Sequence, residues 1–266
     1  MDPRLVRDSS RPDTWIVHVD GTDQSLVDLN DPTYVAFDYV ERIIDVVDTA
    51  FDEGVRITAI HVGGAGMTIP RYIAHVRPTS AQIVLEPDAT LTEAVREVAP
   101  LQRNSGIKVR PQDGVTGLAA FRDDHADLIV IDAFAGSGVP PDLATEEWFK
   151  EVRRVLKPDG TMSMNLTDLA PFRYSRRVVA GIATHFSNVI VGAEPATWKG
   201  RRFGNVVVSA GAGVDPYVLT RRAAGGVFPY RLIYELELSR WLGKAQPFTT
   251  QDSQVSPAPS TPPMFA

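Results

Sequence analysis

The chain has 266 residues, 44% apolar and 23% charged, with a net charge of −6 and no cysteine. This is the profile of a globular protein with enough apolar residues for a sizeable core. It excludes disulfides, a thiol nucleophile and a zinc–thiolate site, and the acidic balance argues against a partner held by nucleic-acid phosphates. No apolar run approaches the ~20 residues of a membrane span, and the polar start MDPRLVRDSSRPD is no secretory signal, so a cytoplasmic location is the default expectation.

Residues 1–13 read as a disordered lead-in. TWIVHV and SLVDL alternate in the manner of strands, and DGTDQ between them supplies turn chemistry, so a small N-terminal β-hairpin arm is expected within residues 1–33. Asp31-Pro32-Thr33 is expected to open a helix with Asp31 as its cap. That helix would carry Val40, Ile43, Ile44 and Val47 at helical spacing and end at Gly54.

From Ile57 the chain alternates strand and helix. ITAIHVGGAGM, TIPRYIAHVRP and AQIVLEPD read as strand, glycine loop, helix and a second strand ending in acids. A helix from Thr90 to Val98, the strand IKVR and the turn PQDG into a short helix follow. The strand ADLIVIDAF comes next, then the loop GSGVPP, the helix LATEEWFKEVRRVLK, a Pro158-Asp159-Gly160 turn and the strand TMSMNL. PFRYSRRVVAGIATHF is a further helix. SNVIVGA and GNVVVSA are expected to form an antiparallel hairpin at one sheet edge, and YRLIYELELSRWLG a helical segment outside the sheet. Residues 34–245 therefore read as one doubly wound α/β domain, a mostly parallel sheet with helices on both faces. Residues 246–266, rich in Pro, Ser and Thr, are expected to be a disordered tail.

Ligands of such sheets bind outside the carboxyl ends of the strands. That rule brings four places together: the GGAG loop, Glu86, Asp113-Gly114 and Asp132. Gly63, Gly64 and Gly66 would let the backbone turn sharply and approach a ligand closely. Glu86, twenty residues past Gly66, can accept both hydroxyl protons of a ribose. Asp132 is either a site carboxylate or a cap on the next turn; Asp113 is either a site residue or a turn and cap residue. His18, His61, His75, His125 and His185 show no metal-ligand spacing, so no metal is expected; His61, just before the loop, reads as structural. Trp198 with Lys199, Arg201 and Arg202 is either a solvated loop or a lid.

The order of these pieces resembles the S-adenosylmethionine methyltransferase fold and, more closely, the spermidine synthase (aminopropyltransferase) family. DGTDQ is similar to that family's DGxxQ turn, VGGAG to its GGGDG, LEPD to its VEID and QDG to its GDG. The segment from IDAFAGSGVPP to KPDG is similar to its DSSDP-to-KPDG segment, and EPATWKGRRFGN to its Pro-Thr-Tyr-Pro-x-Gly loop. The resemblance, from about Asp20 to Ser209, implies a Rossmann-like transferase taking decarboxylated S-adenosylmethionine, or S-adenosylmethionine, as co-substrate and a small amine as acceptor. It implies that Glu86 holds the ribose, Asp113 with Gly114 the adenine, and Gly63, Gly64 and Gly66 the aminopropyl chain. Asp132 would be the base that takes the proton of the attacking amine.

Three positions depart from the family. Ala65 and Ala135 stand where acids grip the diamine, and Trp198 where it has a tyrosine, so putrescine is doubtful as acceptor. Tyr34, Phe37 and Tyr39 are alternative matches to its first-helix tyrosine. Members commonly pair through the N-terminal arm, the ground for expecting a homodimer, although the arm is short here. A methyltransferase using S-adenosylmethionine and an idle nucleoside-binding homologue remain the alternatives.

Overall fold

A computed structural model describes residues 2–19, 21–136 and 138–258. Asp20 of the hairpin turn, Ser137 of the GSGVPP loop and residues 259–266 of the expected tail lie outside the described residues.

The N-terminal arm is a three-stranded antiparallel sheet, β1 (Leu5–Arg7), β2 (Thr14–Val19) and β3 (Thr22–Asp28). The hairpin is as expected, but the lead-in is not disordered. Leu5 is buried beside Trp15, Val17 and Val27, and Arg4 reaches Asp88 at 2.6 Å.

The first helix, α1 (Asp38–Ala50), starts seven residues after its expected cap. The Asp31 carboxylate instead accepts from the Thr33 N–H at 3.0 Å, closing a local turn, and the chain runs extended to Phe37. The core alternation then follows: β4 (Thr58–Val62), α2 (Thr68–Val76), β5 (Ala81–Leu85), α3 (Ala89–Val98), β6 (Ile107–Arg110), α4 (Gly114–Ala119) and β7 (Ala126–Ile131). A 3-10 turn (Pro141–Ala144) leads to α5 (Glu146–Val155), β8 (Leu156–Asp168), α6 (Arg173–His185), β9 (Val189–Ala193), the single turn α7 (Pro195–Trp198) and β10 (Gly204–Gly211). β8 begins before the Pro158-Asp159-Gly160 segment read as a turn, and its register against β7 shifts there.

Three features at the end of the chain differ from expectation. α8 (Pro216–Gly225) follows β10 with no counterpart in the sequence reading. YRLIYELELSRWLG is strand then helix, β11 (Arg231–Tyr234) and α9 (Glu235–Leu242), and β11 pairs with β9. The expected β9–β10 hairpin exists, but β11 takes the edge and β10 lies inside, between β9 and β8.

The large sheet has the order β11-β9-β10-β8-β7-β4-β5-β6. β8, β7, β4, β5 and β6 are mutually parallel, and β10 runs antiparallel to β8 and β9. Strand order reverses direction at β4, so the crevice lies between the ends of β4 and β7.

Period-two alternation divides the core. Ala59, Leu128 and Val130 meet Ile43, Ile44 and Val47 of α1 and Ile69 and Ile73 of α2. Ile60, Val62, Ile129 and Ile131 face Trp148, Phe149 and Val152 of α5 and Val178 of α6. Each such buried Val, Leu, Ile or Phe side chain contributes roughly 1.5–3 kcal/mol. Arg77, 2% exposed, ties α2 to α1 by donating to the Val47 and Phe51 carbonyls at 3.2 and 2.7 Å, where the partial negative charge of the α1 C-terminus favours a cation.

The expected tail is ordered through residue 258. Phe248 is fully buried, under the Arg177 guanidinium at 3.9 Å, and its carbonyl accepts from the Glu146 N–H at 2.8 Å. The buried Ser256 hydroxyl accepts from the Val139 N–H at 2.9 Å. Tertiary packing overrides the polar composition. Among the described residues no helix is long and apolar enough to cross a membrane.

Candidate functional site

Two cavities open at the carboxyl ends of the parallel strands. The larger, about 400 Å3, is bounded by the glycine loop, the ends of β5 and β7, the start of α4 and the loop before α5. The smaller, about 40 Å3, lies behind the glycine loop, toward α1 and α2. Gln24, Gly63, Gly64, Ala65 and Asp132 line both, so Asp132 stands where they meet.

The glycine loop turns at Gly63, with φ +88°, and a Cβ there would sit 2.2 Å from the Asp132 carbonyl oxygen. Only glycine lets β4 exit this close to β7. Gly64 faces Glu86 and the large cavity. Gly66 does not, contrary to expectation. A Cβ on it would lie 2.6 Å from the Ser25 hydroxyl, so this glycine serves the packing of the β-arm against α2.

Glu86 leaves β5 into the large cavity. Its Oε2 accepts from the Gly64 and Ala65 N–H groups at 3.0 and 3.3 Å, and its Oε1 from the Asp88 N–H at 2.9 Å. The carboxylate is thus aimed by backbone donors. Asp113 is a cap residue that also lies at the cavity wall. Its Oδ1 caps α4 by accepting from the Thr116 N–H at 2.8 Å, which lowers its pKa, while the residue lines the large cavity beside Gly114.

Asp132 follows β7 directly. Burial pushes its pKa up from 3.8 to about 6, opposed by hydrogen bonds from the Asn165 side chain, 3.1 Å from Oδ1, and from Tyr39. The single Tyr39 hydroxyl proton is shared with the Gln24 carbonyl, 3.3 Å away, and burial, reinforced by the Asp132 charge, raises the Tyr39 pKa well above 10. A half-buried carboxylate with a pKa near neutrality suits proton transfer.

Of the three aromatic candidates in the first-helix region, Tyr39 reaches the crevice. Tyr34 stacks under Arg11 at 3.8 Å. Trp198 lines neither cavity. It packs edge-on to Phe172 and Trp241 and donates its indole N–H to the Arg231 carbonyl at 2.9 Å, while Arg202 pairs with Glu194. The lid reading of this loop therefore falls.

Asn165 and Gln24 were missed in the sequence. The polar Asn165 inside the apolar run TMSMNL was the available signal; Gln24 stood within DGTDQ but was read only as a turn residue. Among the described residues no cluster of three or more His, Asp or Glu could hold a metal.

No protein-family model matches the chain. Two curated relatives, the polyamine aminopropyltransferases of Vibrio vulnificus (strain CMCP6) and Chromobacterium violaceum (strain ATCC 12472), are 26% and 25% identical over 112 and 145 residues. The matches cover 41% and 54% of this chain, and span only 37% and 54% of those relatives. A probable spermidine synthase from Corynebacterium glutamicum ATCC 13032 superposes with a TM-score of 0.84 at 29% identity, covering 92% of this chain and 91% of its own. Human methyltransferase-like protein 13, in complex with SAH, superposes at 0.57 and 16% identity over 81% of this chain and 96% of its own, a likeness of fold alone. Together these likenesses bear out the chain's resemblance to the spermidine synthase family and its methyltransferase-like α/β fold.

Proposed function

We propose that the chain is an aminopropyltransferase-type enzyme that binds decarboxylated S-adenosylmethionine in the large cavity and an amine in the small one. The observation that carries this reading is Asp132, a carboxylate of raised pKa at the junction of the two cavities. The fit of the donor rests on the cavity wall. Glu86, Asp88, Asp113, Asp132 and Asp142 line it, and among the described residues no Lys or Arg does. Such a wall suits a ligand carrying sulfonium and ammonium charges and offers nothing to the carboxylate of S-adenosylmethionine. An S-adenosyl-type ligand is consistent with the SAH complex of the human neighbour.

In this reading Glu86 accepts from the ribose hydroxyls, and Asp113 with the start of α4 meets the adenine. When bound, the sulfonium supplies an activated carbon. The acceptor nitrogen forms a C–N bond as the C–S bond breaks; the C–S electron pair stays on sulfur and the amine proton passes to Asp132. Holding the two partners in line is the protein's main contribution, with the positioned base adding about 10²–10⁴-fold. Ala65 and Ala135 provide no carboxylate, so putrescine is not the expected acceptor.

Calorimetry with decarboxylated S-adenosylmethionine, S-adenosylmethionine and methylthioadenosine, each with and without an amine, tests the reading. Preference for the decarboxylated form supports it. Preference for S-adenosylmethionine with transfer of a methyl group makes the chain a methyltransferase. Tight binding without turnover on any amine makes it an idle binder.

A further inference from the structure

The wall of the small cavity includes His61, a buried side chain with an acceptor that no described residue uses. Gln82 donates from Nε2 to the Pro70 carbonyl at 2.9 Å, which turns its Oε1 toward His61 Nε2 at 3.0 Å. A carbonyl oxygen only accepts, so the imidazole proton sits on Nε2 and Nδ1 presents a bare lone pair. His61 is 2% exposed, and Nδ1 has no hydrogen-bond partner among the described residues. Burial lowers its pKa to about 4, which keeps the ring neutral. Such an orphan acceptor is unfavourable unless something fills it.

His61 and Asp132 belong to the same face of the sheet. His61 pairs with Val130 across β4 and β7, and Asp132 lies two residues further on. Both line the small cavity, and Asp132 is its one carboxylate among the described residues. Ser25 and Thr68 are already bonded to each other at 2.7 Å. Val40, Met67, Ile69 and Val130 make much of the remaining wall apolar. At roughly 10–15 Å3 of such volume per water-sized group, the cavity of about 40 Å3 holds a nitrogen and a short carbon chain.

We infer that His61 Nδ1 is the second acceptor for the nitrogen of the amine substrate, and that this substrate is a short primary monoamine rather than a diamine. The inference rests on the transferase reading above and names its substrate class. A primary amine has two N–H groups and one lone pair. Asp132 and His61 accept the two protons' hydrogen bonds, and the lone pair stays free to attack. A second ammonium further along the chain would find no second carboxylate among the described residues of the wall, which is costly for a buried charge.

The test uses the full chain with 15N-labelled histidine, saturated with methylthioadenosine, and n-propylamine or putrescine as probe. The expected result is a saturable shift of the His61 Nδ1 resonance out of its bare position with n-propylamine, and weaker binding of putrescine. His61→Leu is expected to keep its methylthioadenosine affinity and lose about tenfold in n-propylamine affinity. His61→Asn, whose amide oxygen can stand near the Nδ1 position, is expected to recover part of that loss. An unmoved Nδ1 resonance, unchanged amine affinity in His61→Leu, tighter binding of putrescine, or no binding of either amine overturns the inference while leaving the donor site standing. Failure of methylthioadenosine to bind overturns the transferase reading and this inference with it.

Discussion

The large cavity is lined by five carboxylates, Glu86, Asp88, Asp113, Asp132 and Asp142, and backbone amides aim Glu86. The small cavity is tight, and Asp132 is its one carboxylate among the described residues, beside His61. Both share the glycine loop, and the two alanines that stand where the family has acids lie around them, Ala65 in the wall of both cavities and Ala135 in that of the large one. The difference teaches that carboxylates set at strand ends and side chains on the loops around them can change separately. Glu86 and Asp132 are tied to strands that also hold the sheet together. Ala65 and Ala135 lie on loops, where a side chain can change without disturbing a strand.

The comparison breaks most visibly at Asp132, the residue both halves share. Asp132→Asn is expected to lower kcat by about 10²–10⁴-fold while leaving methylthioadenosine affinity nearly unchanged, as single-turnover rates and calorimetry would show. The same variant is expected to be more stable at pH 7. The folded-state pKa of Asp132 is raised from 3.8 to about 6, so its favourable contribution is complete below about pH 4 and is lost as pH rises through 6. Thermal melts should show a Tm gain on the order of a few °C at pH 7 that vanishes near pH 4.

Glu86→Gln acts on the donor half alone. It is expected to weaken S-adenosyl ligands by about 10–100-fold, the value of hydrogen bonds to a charged group, with no change in amine affinity. If amine binding falls equally, the two cavities are not independent. A smaller effect belongs to pH. With Asp132 as base, kcat/KM is expected to fall about tenfold per unit below pH 6. Asn165→Ala removes a bond that favours the ionised carboxylate, so the acid limb should move to higher pH. A profile that stays in place would remove Asn165 from the proton chemistry. The least effect is expected from Ser256→Ala, which loses one buried bond to Val139: roughly two- to fivefold in ligand affinity, seen by calorimetry, with kcat intact.

Much of the fold was legible in the sequence because parallel strands buried on both faces read as unbroken apolar runs, and the turns between them carry Gly, Pro and Asp. What escaped was set by contacts distant in sequence. Phe248 and Ser256 are isolated residues in a polar stretch, buried by Arg177, Tyr174 and Val139 rather than by any periodicity. YRLIYELELSRWLG carries helical spacing over its length, and only the neighbouring β9 makes its first part a strand. Strand-end position pointed to Glu86, Asp113 and Asp132, all of which line the large cavity. Gly66 was misread because glycine next to a neighbouring sheet and glycine next to a ligand look the same in a sequence. Asn165 and the free nitrogen of His61 depend on cross-strand registry that no local motif records.

Residues 246–258 brace the loop that walls the large cavity, through Phe248 at the start of α5 and Ser256 at Val139. This gives the site an order of assembly during synthesis. Every strand of the parallel sheet leaves the ribosome before that brace exists. A nascent chain released only as far as β10 would therefore have its parallel strands available to pair and the large cavity still open on one side, and ligand capture would wait for the segment translated last among those described.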